Sequence, residues 1–322
     1  MLLCLKSKAC IYANSHKICT ICHMVFLLAA DSYFFIFGCI RKGIFMAEQK
    51  KYYVNKRTVH PGNVHLYRSS FLRLPDGIVG IEAGTFADFK KLKSIVFPNS
   101  LQHIGAHAFH GCSGLKSIEL PNRVSRIGAE AFRECKNLES AVLPVSLATI
   151  PDRLFSDDGK LQELYIPVNS RLHSVGVNAF FKCTKLSSLF LPDGVTIIED
   201  AAFFTCKKMR QFHFPSRLKQ IGEHAFHYCL LSEGVLPEGL EYIGAAAFYH
   251  CPQLTHVEIP ASVRYIGNGA FKGSQKMKVL ELRHDPDYIG PDVANHDTLI
   301  RCYQGSAVEE YCKRNGYAVS YL

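Results

Sequence analysis

Apolar positions in this chain follow one template that returns every 22 to 25 residues. From Ile104 to Ile127 the order is Ile-Gly-x-x-Ala-Phe-x-x-Cys-x-x-Leu-x-x-Ile-x-Leu-Pro-x-x-Val-x-x-Ile, and the next copy begins on Ile127 itself. Phe86, Phe109, Phe132, Phe155, Phe180, Phe203, Phe226, Phe248 and Phe271 mark the period. Self-similarity at this length marks a stack of one supersecondary unit, because a single unit can bury its apolar face only against its neighbours. Ile118 and Leu120 alternate with polar residues, which predicts a short strand with one face turned inward, and Pro121 ends it for want of an N–H. Ala131, Phe132 and Cys135 fall on one side at helix-like spacing, which predicts a single helical turn across the coil. The expected fold is thus an α/β solenoid: a right-handed coil with a concave parallel sheet, short helical turns on the convex side, and stacked phenylalanines inside.

The template, with its Gly-x-x-Ala-Phe-x-x-Cys core and Leu-Pro strand end, resembles the BspA-like leucine-rich repeats of bacterial surface proteins and some parasitic protists. The likeness covers nine near-complete repeats, preceded by a half-repeat from Leu72 to Ile81. Three copies depart from it. The fourth has Asp158 for cysteine and two extra residues around Val168 to Ser170, the seventh loses a residue between Cys229 and Pro237, and the ninth has Ser274. Four segments follow: residues 1–45, an N-terminal cap over 46–71, the solenoid over 72–283, and a C-terminal cap over 284–322. In the last, Ser306 and Glu309 have capping-box spacing, Glu309/Lys313 and Glu310/Arg314 are i, i+4 pairs, and Val308, Tyr311 and Cys312 share one helix face. The resemblance implies a non-enzymatic protein that binds host or cell-surface proteins at the cell surface.

Composition changes this picture little. The chain has 322 residues, 48% of them hydrophobic, with no tryptophan and a formal net charge of +9. Lys6, Lys8, Lys17, Arg41 and Lys42 against Asp31 place +4 of that charge in the first 45 residues, so the remainder is only mildly basic and unlike a nucleic-acid binder. Cys112, Cys135, Cys183, Cys206, Cys229 and Cys251 recur at one template position and predict a buried, reduced ladder of small apolar side chains. Cys4, Cys10, Cys19, Cys22 and Cys39 precede the repeats, and Cys19-Thr-Ile-Cys22-His23 matches the haem-attachment spacing with nothing cytochrome-like around it. No cofactor is expected.

Ile18 to Ile40 is long enough to span a bilayer, although His23 and Asp31 lie within it. Three readings stay open for residues 1–45: a cleaved signal, a retained anchor, or a start set upstream of the true one at Met46. A secreted or surface protein follows from the first two and a cytoplasmic scaffold from the third.

Function then rests on exposed columns. The residue between the two inward strand positions runs Val96, Glu119, Val142, Tyr165, Phe190 and His213, then Glu258 and Glu281. Val142, Tyr165, Phe190 and His213 should lie side by side as anchors for a protein ligand. Along the flank, Phe181, Phe204, His227 and Tyr249 follow the spine phenylalanines. Lys136, Lys160, Lys185, Lys207, Lys208 and Arg210 gather in the turn before each strand, a basic edge suited to solvation or to acidic glycans. No P-loop, G-x-S-x-G, H-E-x-x-H or dinucleotide motif is present, and the chain is expected not to be an enzyme.

Overall fold

The computed structural model describes residues 57–232 and 234–322, so the five early cysteines, the 18–40 span and the Met46 start lie outside the described residues. The compact unit runs from Thr58 to Leu322. A regular coil contributes two short strands, one of two residues such as His103–Ile104 or Arg126–Ile127, and one of three such as Ser117–Glu119 or Ser140–Val142, the latter lengthening to four in the last coils. Strands pair in parallel with counterparts in neighbouring coils, in six separate sheets, and eleven coils are present among the described residues. Register is fixed by burial: Ile81 pairs with Ile104 and Ile104 with Ile127, so one inward column passes through the stack, and a slip of one residue would turn it to water. Through the fourth repeat Tyr165 still pairs with Val142 and Ser174 with Thr149. Its two extra residues therefore loop out between the strands, leaving Val168 72% exposed.

All nine spine phenylalanines are buried. Successive rings stack with centroids 5.1 to 6.0 Å apart and planes within 20°. The two widest steps, 6.0 and 5.7 Å, flank Phe155 in the irregular fourth repeat. The cysteine column is buried and free of disulfides among the described residues. Each thiol donates to the carbonyl of the spine phenylalanine one coil back, for example Cys112 to Phe86 at 3.1 Å and Cys206 to Phe180 at 3.3 Å. Ser274 does the same toward Phe248 with its hydroxyl at 3.1 Å. A small donor, and not merely a small apolar group, is what this position holds. Phe89 in the first repeat and Asp158 in the fourth are the exceptions, and Asp158 is fully buried with no hydrogen-bond partner for either carboxyl oxygen. Burial pushes its pKa well above the usual carboxylate range, and the charges of Asp157 and Glu134 add to the rise.

The expected helical turns are not helices. From Gly105 to Leu115 the chain makes tandem β-turns, with Ala108, His110, Cys112 and Leu115 each donating three residues back. The amides between them leave the coil: His107 donates to Ala129, Phe109 to Ala131 and Gly111 to Arg133. A helix would satisfy those N–H groups internally and leave the next coil unpaired. The turns require left-handed backbone at every fourth residue, and 15 non-glycine residues take it among those described, among them His107, Glu130, Ala201, His224 and Ala246. Glycine is needed for another reason where coils touch: a Cβ on Gly128 would stand 2.2 Å from the Ala106 nitrogen.

The stack continues through strands Leu299–Cys302 and Val319–Tyr321, with the helix Ala307–Asn315 between them. Ser306 accepts from the Glu309 amide, and left-handed Gly316 closes the other end. The Glu309 carboxylate completes only half a capping box, taking the Gly305 N–H instead of that of Ser306, together with Lys313 and the Tyr321 hydroxyl. Those three donors hold it down at about 2. Val308, Tyr311 and Cys312 are buried as the periodicity requires, whereas Arg314 turns to the Glu310 carbonyl. Among the described residues no helix is long and apolar enough to cross a membrane.

Candidate interaction face

In the three-residue strands of the repeats the middle side chain turns inward, so the first and third project together from the same sheet face. The third position carries Val96, Glu119, Val142, Tyr165, Phe190 and His213 in chain order. Tyr165 is paired directly with Val142 and Phe190 with His213, while Glu163–Tyr165 and Ser188–Phe190 lie side by side. The Phe190 and His213 rings stack at 5.6 Å and 12°. The first positions are Ser140 and Ser188 beside Val142 and Phe190, and the exposed Glu163 and Gln211 beside Tyr165 and His213. Tyr165 is 60% exposed and Phe190 48%.

Val235 extends the column by one coil, because the pairing of Gly234 with Val257 and of Val235 with Glu258 puts Val235 in line after His213. Counting from Cys229 hides this, since the missing residue precedes the strand; counting back from Pro237 would have found it. Gly234 then occupies the inward position, and the strand lies so close to its neighbour that a Cβ there would meet Val257 at 2.7 Å. Beside it opens a depression of about 410 Å³, lined by Val235, Leu236 and Pro260 with Glu238, His256 and Glu258. Val235, 78% exposed, belongs both to the depression and to the stripe. Glu281, expected on the surface, is 2% exposed, because Arg283 at 2.6 Å and Arg301 at 2.9 Å close over it, and Arg283 also reaches Glu258. The face thus shows five consecutive apolar or aromatic side chains with Glu119 before them and Glu258 after, and exposed Phe71 and Val96 beyond Glu119.

Lys160, Lys185 and Lys208 occupy one turn position in consecutive coils, with Lys136, Lys207 and Arg210 nearby, all exposed. Only two have partners that would pin them: Lys160 donates to Asn137 at 2.7 Å and Lys136 approaches Glu134 at 3.7 Å. On the flank, Phe181, Phe204, His227 and Tyr249 form a continuous stack at 4.6 to 5.1 Å, so this column mainly packs against itself. Partial burial, with His224 and His250 nearby, lowers the His227 pKa to about 4.

A sequence model of the BspA type leucine rich repeat region matches residues 67–180 and 173–299 in six copies. Among solved structures, a leucine-rich repeat protein from Bacteroides ovatus is 24% identical over 78% of this chain and 77% of that one, with a TM-score of 0.43. A leucine rich cell surface protein from Faecalibacterium prausnitzii is 18% identical over 83% and 88%, with a TM-score of 0.43. The T. pallidum leucine rich repeat protein is 22% identical over 79% and 87%, with a TM-score of 0.40. No curated protein matches the chain.

Proposed function

The chain belongs to the BspA-type leucine-rich repeat family, and from that premise we propose that it is a non-catalytic solenoid that holds a protein ligand against the three-residue-strand sheet, its concave face, in adhesion at the cell surface. The stripe Val142, Tyr165, Phe190, His213 and Val235 carries this reading. Large apolar side chains lined up on an otherwise polar sheet face are where partner anchors concentrate, since burying them on binding removes contiguous apolar area from water. Charge at either end, Glu119 and Glu258, would set the ligand's register more than its affinity. The lysine column serves solubility, with acidic glycan as its one alternative ligand.

A test begins with the full chain as cross-linking bait and identifies the captured protein by mass spectrometry. Affinity for that purified protein is then compared with the double variant Tyr165→Ala/Phe190→Ala. Binding should be lost with an unchanged melting temperature, because neither side chain supports the core. Undiminished affinity removes the stripe from consideration. A cytoplasmic scaffold is the second reading, favoured by eight buried free thiols among the described residues. Protease shaving of whole cells separates the two, since only a surface protein is cut.

A further inference from the structure

Two coils carry an identical turn, His-Ala-Phe-His, at His107–His110 and at His224–His227. Its first histidine takes the left-handed conformation in both, with φ 54° each time. What differs is the residue that the next coil stacks beside it: Glu130 over His107, but Ala246 over His224. Backbone bonds from His107 to Ala129 at 3.0 Å and from Phe109 to Ala131 at 2.8 Å fix that offset.

At the first turn the three side chains converge. His107 Nδ1 is 3.4 Å from Glu130 Oε2, and His110 Nδ1 is buried with no hydrogen-bond partner. One ligand atom from each of the three lies within 4.8 Å of the other two. At the second turn, which lacks the carboxylate, His224 Nδ1 and His227 Nδ1 face each other at 2.9 Å and share one hydrogen. We propose that His107, His110 and Glu130 form a site for a divalent transition metal of the zinc class. Two imidazole nitrogens and one carboxylate oxygen suit zinc, nickel or copper rather than magnesium or calcium, and three protein ligands leave a position open to water or to a partner's side chain.

Two guanidiniums compete for the same carboxylate. Arg133 donates to Glu130 Oε2 at 2.9 Å and Arg153 to Oε1 at 3.2 Å. Arg133 is also 3.5 Å from Glu134 and 3.7 Å from Asp157, so it keeps carboxylate partners when a metal takes Oε2. Arg153 engages the other oxygen and can stay. Their positive charge weakens the site, and affinity on the order of micromolar is expected instead of the far tighter values of closed structural zinc sites.

The test uses the full chain with Cys19→Ser and Cys22→Ser, which removes its one Cys-x-x-Cys pair. Zinc is titrated against a chromophoric chelator. One equivalent should bind, His110→Ala and Glu130→Gln should each weaken it by at least about tenfold, and His224→Ala/His227→Ala should leave it unchanged. Absence of a zinc equivalent, its survival in both first-turn variants, or its loss in the second-turn variant overturns the site. Should His110→Ala fail to fold by circular dichroism, Glu130→Gln, which alters charge but not shape, gives the decisive reading.

Discussion

Asp158→Cys should stabilise the protein, because it restores the donor that the other coils use. In the cysteine column each thiol satisfies a phenylalanine carbonyl one coil back, as Cys135 does for Phe109 at 3.3 Å and Cys183 for Phe155 at 3.1 Å. Asp158 fills nearly the same volume with two oxygens that have no partner. Leaving a polar group buried and unpaired costs about 1–3 kcal/mol. Ionisation adds a second, pH-dependent cost. The Asp158 pKa is raised in the folded chain, so between the unfolded value of about 3.9 and the folded value the native state holds more protons than the unfolded one. Stability from this group is therefore complete below about pH 3.9 and falls as pH rises, by up to about 1.4 kcal/mol per unit, until the folded pKa is passed. Guanidinium unfolding followed by circular dichroism under reducing conditions, at pH 4, 5.5 and 7, resolves both parts. Asp158→Cys should gain about 1 kcal/mol at pH 4 and more at pH 7, with a flatter pH profile. Asp158→Asn should flatten the profile in the same way while keeping a polar group in place. An unchanged midpoint at pH 7, or an acid-favouring slope that persists in Asp158→Cys, would refute the reasoning.

Three further outcomes follow from the turns and the cap. Ala246 sits at φ 52°, where an L-residue is strained by about 1–2 kcal/mol, so Ala246→Gly should be stabilising by about 0.5–1 kcal/mol after glycine's greater chain entropy is counted. Gly111→Ala, at φ 69° with Asp88 Oδ1 2.5 Å from the new methyl, should go the other way in the same denaturation assay. Glu309 has its pKa depressed to about 2, so its contribution is present above the unfolded value of about 4.3 and lost as pH falls toward 2. Glu309→Gln should remove that acid-limb loss from melting curves recorded between pH 2 and 5.

The phenylalanine spine and the cysteine column were legible because both are interior lines: a side chain that recurs at one period and packs at the same place in each coil leaves its register in the text. Within the regular coils the same counting placed Val142, Tyr165, Phe190 and His213 in one row. It failed at Val235, where the lost residue lies upstream of the strand and Gly234 carries no apolar signal. Helical turns were expected from the spacing of Ala131, Phe132 and Cys135, but tandem turns bring the same residues to one side. The left-handed positions that distinguish them hold Ala201, Lys182 and Ala246 as readily as glycine. Burial of Glu281 depended on Arg283 and Arg301 arriving from a turn and the next coil, a convergence that one repeat's template does not contain. The third ligand beside His107 was equally hidden, since nothing in the His-Ala-Phe-His turn announces Glu130 on the neighbouring coil.

The amides that leave each coil at His107, Phe109 and Gly111 are met by carbonyls 22 residues further on, and those of the next coil repeat the arrangement. A duplicated block of one period, inserted anywhere in the regular part, would find every donor, ring and thiol already matched above and below. The molecule's reach can therefore grow or shrink in steps of one strand spacing, about 4.8 Å, with no redesign of its interior. Span and ligand preference are written in different columns, and inheritance can tune either while leaving the other alone.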